Sequence, residues 1–115
     1  AGTGRRMRRY AVSLTDLALL DLDDIADYIA QHDAPEKADA VVRRIEETLS
    51  SLDTLPNRGS HPRELLALGE RAFREIYFKP YRIVYQVLER EVVVVVIADG
   101  RRDMRALLAR RLLGA

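Results

Sequence analysis

The chain has 115 residues, 48% of them hydrophobic, a formal net charge of +1 and no cysteine. This is one domain that can bury a core unaided, and disulfide frameworks and thiolate metal sites are excluded. Two isolated histidines, His32 and His61, argue against a histidine metal site or a triad, and no apolar run approaches the roughly 20 residues of a membrane span.

Ala1–Arg6 reads as a disordered tail or cloning scar ahead of Met7, so residues 7–115 are taken as the domain. The basic start is not followed by an uncharged apolar core, which argues against a signal peptide. A soluble cytoplasmic protein is expected. In Arg9–Leu14, Tyr10, Val12 and Leu14 alternate with Arg9, Ala11 and Ser13, a strand with one buried face. Thr15 or Asp16 can cap the helix that begins there. Asp16–Gln31 reads as that helix, because Ala18, Leu22, Ile25 and Ile29 share one face. Leu17, Leu20 and Tyr28 are expected to widen it. Asp21, Asp23, Asp24 and Asp27 invite a metal or acid–base reading, but the wet side of an amphipathic helix accounts for them.

His32–Pro35 is the break. Asp33 and Glu36 form a capping-box pattern, and Pro35 suits a first turn. A second helix runs to about Leu52 on Ala38, Val42, Ile45, Leu49 and Leu52, with Asp39, Arg43 and Glu47 spaced for i,i+4 pairs. Two matched helices with a short joint make an antiparallel hairpin. Leu55–Pro62 is a loop by composition, with His61 as an ordinary loop histidine. Arg63–Leu68 can form a helical turn closed by Gly69.

Three strands follow. Phe73–Phe78 ends at Lys79-Pro80, where a residue without an N–H belongs in a turn. Tyr81–Leu88 is rich in β-branched and aromatic residues. Val92–Ile97 is continuously apolar, which predicts a central strand covered on both faces. Gly100 breaks it. Met104, Leu107, Leu108 and Leu112 then recur at helical spacing beside Arg105, Arg110 and Arg111, a short basic helix that can pack on the sheet, stay mobile or dock a partner. The expected class is α+β: a four-stranded, mainly antiparallel sheet packed against an N-terminal helical hairpin, with a short C-terminal helix. The hairpin should cover one face. The other, carrying Arg74 and Arg82 if the register permits, should be partly open.

No catalytic constellation, cofactor loop or metal set stands out. What remains is an arginine set: Arg74, Arg82, Arg101, Arg102 and Arg105. Arginines beside a sheet can bind phosphate through bidentate hydrogen bonds, or acidic residues of a partner. Charge is segregated to match. Residues 16–55 carry eleven acids and three bases, a net −8, while residues 101–115 carry five arginines and one aspartate, a net +4. Solvated helix surfaces and ordinary terminal arginines would give the same totals. Arg82 can equally pair with Glu75 across the hairpin as a structural residue, and Arg101 and Arg102 can equally lie in a solvated turn.

The order of these pieces resembles the RelE/ParE superfamily of toxins from type II toxin–antitoxin (plasmid stabilisation) modules. The pieces are Leu52…Pro56…Gly59, Tyr81-Arg82-Ile83-Val84-Tyr85, and the valine strand ending in Gly100-Arg101-Arg102-Asp103. The resemblance spans about Arg8 to Leu113. It implies two readings. RelE-type toxins are ribosome-dependent mRNA endonucleases, and Arg82 and Arg102 match two of their arginines. Arg74 matches a third basic residue if one position is skipped. The lysine and tyrosine expected of that branch fall on Ile76 and Leu108, which can neither donate to phosphate nor shuttle a proton. Asp99 stands where related nucleases use a histidine. ParE-type toxins lack that set, have a longer hairpin and inhibit DNA gyrase. That branch fits better, with the protein as a poison and not an enzyme, so no catalytic residue is nominated. A toxin-fold module without toxicity is a third reading. Either toxin branch implies a cognate antitoxin whose C-terminal segment folds on the toxin, near the open sheet face, the grooves beside the hairpin and the basic tail. No membrane partner is implied.

Overall fold

The computed structural model describes residues 9–114. The tail expected at residues 1–6 lies outside them. The elements are β1 (Ala11–Leu14), α1 (Asp16–His32), α2 (Pro35–Ser50) with a 3₁₀ turn at Ser51–Asp53, α3 (Arg63–Leu66), β2 (Phe73–Phe78), β3 (Tyr81–Leu88), β4 (Glu91–Asp99) and α4 (Met104–Leu112). The sheet order is β1-β4-β3-β2. β2, β3 and β4 form an antiparallel meander, and β1 joins β4 in parallel. The expected α+β class and central valine strand are both present.

Thr15 caps α1, its Oγ1 accepting from the Ala18 N–H at 3.1 Å. Asp103 caps α4 by accepting from Ala106 N–H at 3.1 Å. The capping box at Asp33 does not form. Asp33 closes α1, its N–H donating to Ile29 O at 2.8 Å, and extended Ala34 precedes Pro35 with no side-chain cap. The Asp33 carboxylate instead pairs with Lys37 at 3.3 Å. On α2 the ion pair is Arg44–Glu47 at 3.7 Å, not the i,i+4 pairs through Arg43.

The hairpin seam packs as its spacing requires. Ala18, Leu22, Ile45, Leu49 and Leu52 bury against Ile76, Ile83, Tyr85, Val92, Val94 and Ile97. Its stripe is narrower than expected, because Leu17, Leu20 and Tyr28 stay 52%, 54% and 63% exposed. The second face is not open. α3 and α4 cover it through Leu65, Met104, Leu107 and Leu108, which pack on Val84, Val96 and Ala98. Burying side chains of this size contributes roughly 1.5–3 kcal/mol each, which is what holds a nine-residue helix in place.

The valine run is apolar for a specific reason. Tyr85 pairs with Val94 but Val84 pairs with Val96, so Val95 is an extra residue in β4. This bulge reverses the alternation. Val92 and Val94 face the hairpin, whereas Val96 and Ala98 face α4.

Tyr85 ties the loop before α3 to the sheet. Its buried hydroxyl donates to Pro56 O at 2.7 Å and accepts from the Gly59 N–H at 3.0 Å. His61 is structural as well, its Nδ1 lying 2.9 Å from Phe73 O. Tyr85→Phe strips both loop groups of their partner. It should cost about 1–2 kcal/mol, read as a lower urea midpoint with an unchanged slope.

Candidate functional site

The five nominated arginines do not come together. Arg74 and Arg82 lie on opposite faces of the sheet, since Arg74 pairs across strands with Tyr85 and Arg82 with Tyr77. Arg74 spends its guanidinium on the loop, donating to Gly59 O at 2.8 Å and Asn57 O at 3.3 Å. Arg101 folds back on Asp99, with Nε 2.9 Å from Oδ1. That contact holds the Asp99 carboxyl below its ordinary range, hydrogen bonding from Arg101 outweighing desolvation. Arg102 and Arg105 are exposed and make no ion pair among the described residues.

Arg82 departs furthest from the expectation of an open face. It is 6% exposed, and Glu75 is 4% exposed. Its Nε donates to Glu75 Oε1 at 2.8 Å, and its two terminal nitrogens donate to the two oxygens of Glu64 at 2.8 and 2.7 Å. Tyr77 completes the set by donating its hydroxyl to Glu75 Oε2 at 3.0 Å. A guanidinium fork met bidentately on one side and again at Nε has little left for a ligand. Gly100 belongs to this arrangement. A Cβ there would lie 3.0 and 3.1 Å from Arg82 Cδ and Cγ. Gly100 therefore makes room for the arginine stem besides ending β4.

Hydrogen bonding from Arg82 holds the Glu64 carboxyl below its ordinary value of 4.5, against the opposing effect of burial. A lowered folded value means that the ion pair stabilises fully above pH 4.5 and loses its contribution as pH falls through the folded value. The urea midpoint should therefore drop on acidification below about pH 4.5, and Glu64→Gln, which cannot ionise, should flatten part of that drop. Equal slopes in both proteins would count against the assignment.

The residues that do converge form a cleft beside the hairpin, where the family resemblance implied a groove without specifying its lining. It measures about 480 Å³ and lies between α1 and the end of β4. Ile25, Ile29 and Ile97 line it with Tyr28 and Tyr81, and Arg101 and Arg102 stand at its β4 end. Asp21 is also there, and it is not a wet-side carboxylate. It accepts from Ile97 N–H at 3.0 Å and takes a bidentate pair from Arg111, with both contacts at 3.0 Å. The cleft is within the size range of ligand and partner pockets. No group of three or more His, Cys, Asp or Glu side chains capable of holding a metal occurs among the described residues. No helix among them is long and apolar enough to cross a membrane.

Residues 12–104 match the family model described as the ParE toxin of the type II toxin–antitoxin system, parDE. Toxin ParE3 of Caulobacter vibrioides is 30% identical over 91 residues, covering 79% of this chain and 87% of that protein. Among solved structures, the chromosomal ParDE system from P. aeruginosa matches with a TM-score of 0.67 at 24% identity, over 79% of this chain and 96% of that one. A double mutant of the E. coli toxin RelE in the free state matches with a TM-score of 0.60 at 14% identity, over 90% and 98%. The RelBE2 toxin–antitoxin complex from Mycobacterium tuberculosis matches at 0.55 and 21%, over 82% and 94%. At such identities the three structures speak for the fold.

Proposed function

Because the chain belongs to the ParE toxin family of type II toxin–antitoxin systems, we propose that it acts in the cytoplasm as an inhibitor of DNA gyrase, is held inactive by a cognate antitoxin and stabilises the replicon that encodes it. The observation that carries the choice of target is the saturation of Arg82. An mRNA endonuclease of this fold needs free cations around a scissile phosphate. Here Arg82 is occupied by Glu64 and Glu75, and Arg74 by loop carbonyls. Ile76 and Leu108, at the positions where a nuclease would place a lysine and a tyrosine, are 4% and 0% exposed and belong to the core. These features support a toxin that works by binding and not by cleaving RNA. Of the five nominated arginines, Arg102 and Arg105 are the two left for contacts with a target or partner.

The test is a gyrase supercoiling and cleavage assay with the purified protein, run beside a ribosome-dependent mRNA cleavage assay. The expected result is linear DNA and intact mRNA. Cut mRNA with unimpaired gyrase would overturn the proposal.

A further inference from the structure

β4 outruns its parallel partner. β1 ends at Leu14 opposite Val94, whereas β4 continues to Asp99. Residues 95–99 therefore have β3 on one side and, among the described residues, no strand on the other. The bulge at Val95 decides which main-chain groups look out from the unpaired side. Beyond it, Gly100 N–H donates to Pro80 O at 2.8 Å, while Ile97 N–H turns the other way to Asp21 Oδ2 at 3.0 Å. Strand residues two apart face the same way, so Asp99 turns outward with Ile97.

Side chains close half of this edge. Arg111 donates to Val95 O at 2.8 Å, and Asp21 takes the Ile97 N–H. Ile97 O and Asp99 N–H come next and have no such cap among the described residues. They border the cleft. An unpaired strand edge offers main-chain donors and acceptors to another extended chain, which a helix could not use. The apolar lining of the cleft, from Ile25, Ile29, Tyr28 and Tyr81, supplies burial. Charge gives a direction. Asp24 lines the α1 side and Arg102 the β4 end, and Arg102 has no ion pair among the described residues.

We infer that the antitoxin inserts an extended segment into this cleft, pairing with Ile97 O and Asp99 N–H, seating an apolar side chain beside Tyr28 and Tyr81, and setting an acidic side chain on Arg102. The existence of such a partner rests on the proposed function; the location and mode of docking rest on the overhang. The overhang admits pairing over only two or three residues, at roughly 3.3 Å each. The contact is therefore one anchor within a larger interface, and losing one of its parts weakens binding without abolishing it.

The experiment uses this chain with the antitoxin encoded in the same operon, purified separately and titrated together. In the complex, the Asp99 amide should exchange hydrogen at least about tenfold more slowly than in the free chain. Arg102→Glu and Tyr28→Ala should each weaken binding about tenfold, while Arg90→Glu, exposed and outside the cleft, changes it by no more than about threefold. Both cleft residues are exposed, so thermal midpoints should not move. A complex that leaves Asp99 unprotected, or in which both cleft variants bind like the parent, overturns the inference while leaving the partner in place. Failure of the parent chain to bind the antitoxin at all removes the partner itself, and the inference with it.

Discussion

Arg82→Ala should lower the free energy of unfolding by about 3–5 kcal/mol. The reason is not the attraction that is lost. Removing the guanidinium leaves Glu75, 4% exposed, facing Glu64 with no cation between them. Buried carboxylates without a partner are expensive in a low-dielectric surrounding. They must protonate or draw in water, so the variant should recover part of its stability at lower pH, where the parent chain loses some. Urea denaturation at about pH 7 and about pH 4 measures both trends. Replacing all three members with apolar side chains of similar volume gives the opposite result, near neutrality or a modest gain, because the desolvation of every charge is then avoided. If R82A were as stable as the parent at both pH values, the network would be decorative and Arg82 would again be a candidate for ligand contact.

Gly59→Ala is the second large effect, about 2–3 kcal/mol at the upper end of the overpacking range. The added Cβ would sit 2.5 Å from Glu75 O and 2.7 Å from the Tyr85 hydroxyl. Glu75 O is a backbone atom and cannot swing aside. It also accepts from Ser60 N–H at 3.2 Å, while Glu75 N–H donates to Ser60 O at 2.7 Å. Moving it would break this bridge between the loop and β2 and disturb the carboxylate that holds Arg82. Gly69→Ala provides the contrast. Nothing lies within 4 Å of its added Cβ, and the cost there comes from a φ of +78° alone, on the order of 1 kcal/mol. Thermal or urea melts of the two variants separate the mechanisms. A Gly59→Ala protein no less stable than Gly69→Ala would mean that the loop can move away from β2 freely.

The elements are legible in the sequence because each rests on a local rule. Ala18, Leu22, Ile45 and Leu49 announce a two-helix seam by spacing alone, and all four are buried. Thr15 stands where a free N–H of the first helical turn needs an acceptor. The limits are also physical. Helical periodicity gives the direction of a stripe but not its width, so it draws in Leu17, Leu20 and Tyr28 although they remain exposed. Arg82 meets Glu64 across 18 positions of chain, and no spacing rule links a strand arginine to a single-turn helix. Its partnership with Glu75 is foreseeable because it lies within one hairpin. Asp21 reads as solvated because its neighbours Asp23, Asp24 and Asp27 suggest a wet face, and its two partners come from β4 and α4. The cleft follows from the difference in length between β1 and β4, which only the register reveals.

The parallel seam between β1 and β4 also sets an order of events during translation. Ala11 pairs with Glu91, so the first strand emerges from the ribosome some eighty residues ahead of its neighbour. At about 5–20 residues per second that is a wait on the order of 4–16 seconds. The helical hairpin can close locally in the interval, but the strand that its buried stripe must cover does not yet exist. Pairing of such distant segments is also the slow step in folding. α4, which seals the second face, appears only after β4. A chain terminated before Glu91 therefore lacks the centre of its sheet, and with it the β4 side of the cleft.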